Sequence, residues 1–98
     1  MYLVSFSKQA SRDKTLLKQA GLEQKAKALL NLLLANPFRN PPPYEKLPGN
    51  LDGYYSHRIN LQHRLVYRVD ENADGLRDSE GNVYDGIVYV KRMWTHYE

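Results

Sequence analysis

All five prolines of this 98-residue chain lie between residues 37 and 48, at Pro37, Pro41, Pro42, Pro43 and Pro48. Proline lacks the N–H that helix interiors and central strands both require, so regular structure must stop at 37 and begin afresh beyond the run. Fixed φ at Pro41, Pro42 and Pro43, with restricted neighbours, predicts an extended, stiff connector. The two flanks carry different periodicities.

Upstream, residues 1–6 alternate Tyr2, Val4 and Phe6 against Leu3 and Ser5, the period of a strand. Ser7 reads as a helix cap. A helix over 8–20 would place Leu16, Leu17 and Ala20 on one side, and Gly21 supplies a C-terminal stop. A second helix over 22–36 repeats Leu22, Ala26, Leu29, Leu30 and Leu33 at spacings of three and four, one apolar stripe that ends at Pro37. Downstream, residues 53–60, 63–69 and 86–94 are rich in Tyr, Val and Ile and predict strands.

The first two of these strands are close enough for a hairpin, and its register follows from the arginines. With Asn60, Leu61 and Gln62 as a three-residue loop, Ile59 faces His63. Tyr55, His57, Ile59, Leu65, Tyr67 and Val69 then share one face, and Tyr54, Ser56, Arg58, Arg64, Val66 and Arg68 the other. A two-residue loop would mix arginine with Ile59. His57 and His63 take structural places in this scheme, one on the buried face and one at the turn.

With 42% hydrophobic and 26% charged residues, and no run near the ~20 apolar residues of a membrane span, the chain reads as one globular domain over 1–98. No basic stretch followed by an apolar one marks a signal peptide, so the expected location is cytoplasmic and no membrane partner is expected. Absence of cysteine removes disulfides, thiolate metal sites and thiol nucleophiles. The net charge of +3 understates the basicity. Residues 70–85 hold six of the eleven acids and a single base, Arg77, leaving 13 bases against five acids elsewhere. A body this positive attracts polyanions.

That acidic segment begins like a calcium loop, with Asp70, Asn72, Asp74 and Gly75 in phase, but its twelfth position is Gly81 and Glu80 comes one place early. Its flanks read as strands. A turn-rich hairpin or loop extension over 70–86, built on Asp74-Gly75 and Glu80-Gly81-Asn82, is therefore expected, with no metal.

Guanidiniums on one strand face suit a bent RNA backbone, because they grip phosphate bidentately while a neighbouring ring such as Tyr54 stacks on an unpaired base. RNA is cut by its own 2′-OH when a base takes that proton, a cation meets the growing negative charge and an acid protonates the departing 5′-oxygen. Glu45, Arg64 and His96 match these three roles. Reference pKa values near 4.3 for glutamate and 6.5 for histidine put such groups on usable sides of neutrality. No cofactor is needed.

The run from Glu45-Lys46-Leu47 through Asn50-Leu51-Asp52-Gly53-Tyr54-Tyr55-Ser56-His57-Arg58-Ile59, then His63-Arg64-Leu65-Val66-Tyr67, resembles the YoeB/Txe branch of RelE-type toxins, as does the terminal His96-Tyr97. The resemblance implies a small α+β, microbial ribonuclease-like fold: an antiparallel sheet with two N-terminal helices packed on one face. It implies a toxin of a type II toxin-antitoxin system that enters the ribosomal A site and cleaves mRNA, is neutralised by a cognate antitoxin and can form homodimers. By the same resemblance, Glu45 is the general base, Arg64 the phosphate and transition-state contact, His96 the general acid and Tyr97 an orienting or stacking residue. Arg58, Lys46, Tyr54 and Arg68 are the candidate RNA contacts. Three features depart from the pattern: Pro48 where relatives can carry a basic residue, Glu98 after the His-Tyr pair, and the acidic extension. The alternatives are a non-catalytic toxin of the same RelE/ParE superfamily, or a degenerate module that binds RNA or sequesters antitoxin without cutting.

Overall fold

Ser7 closes strand β1 (Leu3–Phe6) and opens helix α1 (Lys8–Gln19), its hydroxyl accepting the Ala10 N–H at 2.9 Å. These details come from a computed structural model that describes residues 1–94. At the other end, Gly21 adopts φ +74°, which lets the Leu22 N–H reach back to the Leu17 carbonyl at 2.8 Å and stops the helix as expected. Helix α2 (Glu23–Ala35) follows at once and ends ahead of Pro37.

Helix α2 buries Ala26, Leu29, Leu33 and Leu34, with Leu22 and Leu30 packed at the margin. Helix α1 departs from expectation. It buries Ala10, Asp13 and Leu17 and leaves Leu16 and Ala20 exposed. The helix is rotated so that Asp13 points inward, where it holds the end of the last strand.

The sheet has five strands in the order β1-β5-β4-β3-β2, with β2 at Tyr44–Lys46, β3 at Tyr55–Arg58, β4 at Arg64–Asp70 and β5 at Ile87–Arg92. All neighbours are antiparallel except β1 and β5, so the sheet is mixed. The core lies between the helices and Leu65, Tyr67, Val88 and Val90, an α+β arrangement with both helices on one face.

The β3–β4 register is the one the arginine pattern demanded: Tyr55 faces Tyr67, His57 faces Leu65, Arg58 faces Arg64, and the Ile59 N–H donates to the His63 carbonyl at 2.9 Å. Asn60 closes the loop by accepting the Gln62 and His63 N–H groups at 2.9 and 2.7 Å. Apolar side chains thereby meet the helices and Arg58 stays outside.

The proline connector differs from the extended segment expected. It bends over residues 40–42, and the Asn40–Pro41 and Pro41–Pro42 peptide bonds are cis. Just beyond it Glu45 lies on a strand, not in a loop. Between β4 and β5 the acidic segment folds back on itself through an Arg77–Val83 bridge. Asn72 and Asp78 spend their side chains on turn backbone: Asn72 bonds Leu76 and Tyr84, and Asp78 accepts the Glu80 and Asn82 N–H groups at 2.9 Å. Among the described residues no group of three or more His, Cys, Asp or Glu is placed to hold a metal. Nor, among them, is any helix long and apolar enough to cross a membrane.

Candidate active site

Strand β2 is short, but its pairing fixes where Glu45 points. Tyr44 lies opposite His57, Glu45 opposite Ser56 and Lys46 opposite Tyr55. Side chains alternate across a strand, so Glu45 joins Ser56, Arg58 and Arg64 on the face away from the helices. Lys46 is exposed on the reverse side of the strand from Glu45. The sequence-predicted set is thus divided: Glu45, Arg58 and Arg64 come together, and Lys46 does not join them.

Arg64 is the organising group. Its side chain is only 12% exposed, its Nη1 donates to Ser56 Oγ at 3.1 Å, and the same nitrogen lies 3.5 Å from Glu45 Oε2. Glu45 remains 58% exposed. A carboxylate open to solvent beside a mostly covered guanidinium can accept a substrate proton while the cation faces the same reacting centre. The two line a cleft of about 200 Å³ with Pro42, Pro43, Ser56 and Arg58.

Tyr54 and Arg68 form a second cluster. Arg68 donates from Nε and Nη2 to both Asp70 oxygens at 2.8 and 3.0 Å and from Nη1 to the Tyr54 hydroxyl at 2.8 Å. Its guanidinium carbon also sits 4.5 Å from the Tyr89 ring centre, and Lys91 Nζ sits 5.4 Å from that of Tyr54. Cations stacked on rings make a platform for bases and phosphates. Tyr89 and Lys91 are members that the sequence reading missed; the alternation of Tyr89 and Lys91 along β5 was the available signal.

Beyond β5 the chain packs on the helix side of the sheet. Met93 is buried, and Trp94 stacks on His63 with ring centres 4.0 Å apart and planes 18° from parallel. His63 precedes Arg64 in the chain, so the last described residue stands beside the start of β4. His96 and Tyr97, the remaining candidate catalytic residues, lie outside the described residues.

His57 takes the buried structural place expected of it: 1% exposed, stacked on Tyr67 at 6.0 Å, with neither ring nitrogen hydrogen-bonded among the described residues. Desolvation lowers its pKa below 6.5. Between that lowered value and 6.5, the unfolded chain carries a proton that the folded one lacks, so stability falls as pH drops through 6.5 and is unaffected by this group above it. Urea midpoints at pH 7.5 and 5.5 should show wild type losing more stability than His57→Phe, with a slope difference of at most about 1.4 kcal/mol per pH unit. Equal losses would mean that His57 is not the titrating group.

The fold and cleft define a small basic α+β protein with a carboxylate-guanidinium pair on its open sheet face, and comparison with known proteins places it further. Residues 6–76 match the family model described as YoeB-like toxin of bacterial type II toxin-antitoxin system. Toxin YoeB of Synechocystis sp. is 42% identical over 57 residues, which cover 58% of this chain and 59% of that protein. The chain thus spans less than two thirds of this curated relative's length. Among solved structures, YoeB in a heterotetrameric YoeB-YefM toxin-antitoxin complex from Staphylococcus aureus is 32% identical with a TM-score of 0.72, covering 99% of each chain. The Staphylococcus aureus YoeB dimer is also 32% identical, with a TM-score of 0.73 and 98% of each chain covered. The chain belongs to the YoeB-like toxins of bacterial type II toxin-antitoxin systems.

Proposed function

We propose that this toxin is a ribosome-dependent mRNA endoribonuclease that works without a metal or cofactor. The Glu45 carboxylate 3.5 Å from the Arg64 guanidinium, in a cleft that also holds Arg58, carries the reading. Glu45 takes the proton of a ribose 2′-OH, and the oxygen attacks the adjacent phosphorus. Arg64 meets the charge that develops on the phosphoryl oxygens. The bond to the 5′-oxygen breaks as His96 protonates it, leaving a 2′,3′-cyclic phosphate and a free 5′-OH. Tyr97 orients or stacks on the substrate, while Arg58, Tyr54 and Arg68 contact the RNA backbone and bases, with Lys46 a contact at the edge.

The partners proposed are mRNA in the ribosomal A site, the ribosome, and a cognate antitoxin in the cytoplasm. The YefM complex and the dimer formed by the Staphylococcus aureus relatives support an antitoxin partner and a homodimer. Primer extension on translated mRNA after induction tests the function directly. Wild type should produce discrete stops within reading frames and His96→Gln should remove them. Stops of equal strength in both, or none in wild type, would overturn the assignment.

A further inference from the structure

On β4, Arg64, Val66, Arg68 and Asp70 share the face away from the helices, because Leu65, Tyr67 and Val69 pack into the helix-side core. Arg68 therefore stands about 13 Å along the strand from Arg64. Val66 between them is fully buried without belonging to that core, so one covered floor runs from the cleft to Arg68. On β5, Tyr89 pairs with Arg68 while Val88 and Val90 point to the core, which turns the Tyr89 ring to the same open face. The register then skips Lys91, since Tyr67 pairs with Val90 and Val66 with Arg92. Such an irregularity re-aims a side chain, and the Lys91 ammonium lies over the Tyr54 ring, 5.4 Å from its centre.

Arg68 is not disposed as a phosphate grip. Its Nε and Nη2 donate to the two Asp70 oxygens, so the forked edge that a phosphate would take is filled and its charge is offset. Nη1 donates to the Tyr54 hydroxyl at 2.8 Å. These bonds hold the guanidinium at its rim, over the Tyr89 ring at 4.5 Å, while the side chain stays 39% exposed. A surface ion pair needs neither the ring nor the phenol; a plane fixed at its rim has its use at its face. Unpaired bases stack on guanidinium planes and on aromatic rings. From this geometry we infer that Arg68, held by Asp70 and Tyr54 over Tyr89, is a stacking shelf for one unpaired RNA base, with Lys91 at its border meeting the phosphate of that nucleotide. The inference rests on the nuclease reading above and deepens it. The distance from Arg64 assigns the base to a nucleotide flanking the scissile bond, and a shelf that offers its face reads no base edge, so it tolerates any sequence.

A short 2′-O-methyl oligoribonucleotide offers bases and phosphates but no 2′-OH to attack, and the same backbone stripped of its bases offers phosphates alone. Titrating the protein with each, over a range of salt, gives its preference for bases, with far-UV circular dichroism as the check on folding. Wild type should prefer the intact oligomer, and Arg68→Ala should shrink that preference by about 5- to 150-fold, the range for one stacked base. Arg68→Lys keeps the charge and loses the plane, so it should shrink the preference as much. Tyr89→Leu should shrink it too. Lys91→Ala should instead weaken both oligomers alike and lower the log-log salt slope by about 0.7, one phosphate contact on a single strand. An undiminished preference in folded Arg68→Ala overturns the shelf. Recovery in Arg68→Lys does the same, since it marks a phosphate contact, and so does a wild type that binds neither oligomer or both equally. Where the Arg68 variants do not fold, Tyr89→Leu decides, and an unchanged preference there overturns the inference. A wild type that binds the intact oligomer in this way yet leaves ribosome-bound mRNA uncut would end the nuclease reading and leave the shelf standing.

Discussion

Arg64→Ala should lower the rate of mRNA cleavage about 10²- to 10³-fold, the usual cost of removing a donor aimed at developing negative charge. The fold should survive the change. Glu45 is 58% exposed, so losing its ion pair returns that carboxylate to water, and partly exposed pairs of this kind contribute about 0–1 kcal/mol. Ser56 is buried and loses a donor to its Oγ, but a hydroxyl can rotate to another partner. A total destabilisation of about 1–2 kcal/mol is expected, well inside the roughly 5–15 kcal/mol of a typical domain. Arg64→Lys should recover little, because an ammonium cannot span Ser56, Glu45 and a phosphate with the planar fork of a guanidinium. On the proposal that Glu45 and Arg64 serve one phosphodiester, Glu45→Ala combined with Arg64→Ala should be little worse than the weaker single variant. Initial rates on ribosome-bound mRNA, beside urea unfolding, check each statement. An Arg64→Ala rate within about threefold of wild type would remove Arg64 from the reaction.

Much of this site is legible in the sequence because alternation is such a strong constraint. A one-residue slip in the β3–β4 hairpin would drive Arg58 into the core and Ile59 out of it, so the apolar pattern alone selects the observed register. Strand β2 is another matter. Its three residues, between Pro43 and Pro48, are too few to show a period, and they form a strand only because β3 offers a free edge to pair with. Asp13 was hidden for a related reason. An acid in a lysine-rich helix ordinarily faces water, and the partners that draw this one inward, Arg92 and Met93, stand 79 and 80 residues away. Local propensity reads neighbours along the chain, whereas the deviations here come from neighbours across the fold.

Tyr67 joins that core to the cleft, and its two substitutions should separate packing from positioning. The ring is fully buried in β4, 5.7 Å from Tyr55 and 6.0 Å from His57, and its hydroxyl donates to the Pro37 carbonyl at 2.6 Å. Burial pushes the phenol pKa above the ordinary tyrosine range, so the hydroxyl keeps its proton and remains a donor across the physiological pH range. Tyr67→Ala opens a large cavity under the sheet and should cost about 3–5 kcal/mol, enough to leave a domain of this size marginal. Tyr67→Phe preserves the ring and removes only the bond to Pro37, a loss of about 1–2 kcal/mol. Pro37 begins the bent connector whose far end is β2, so this bond also helps set where Glu45 stands relative to Arg64. Tyr67→Phe should therefore lose cleavage about threefold to tenfold at temperatures where it is fully folded, a displacement smaller than the ångström that costs about 10²-fold. Urea midpoints give the stability terms and single-turnover rates give the other. A Tyr67→Phe protein that matched wild type in both would mean that the proline segment holds its course without the hydroxyl, and that Glu45 is placed by the β2–β3 pairing alone.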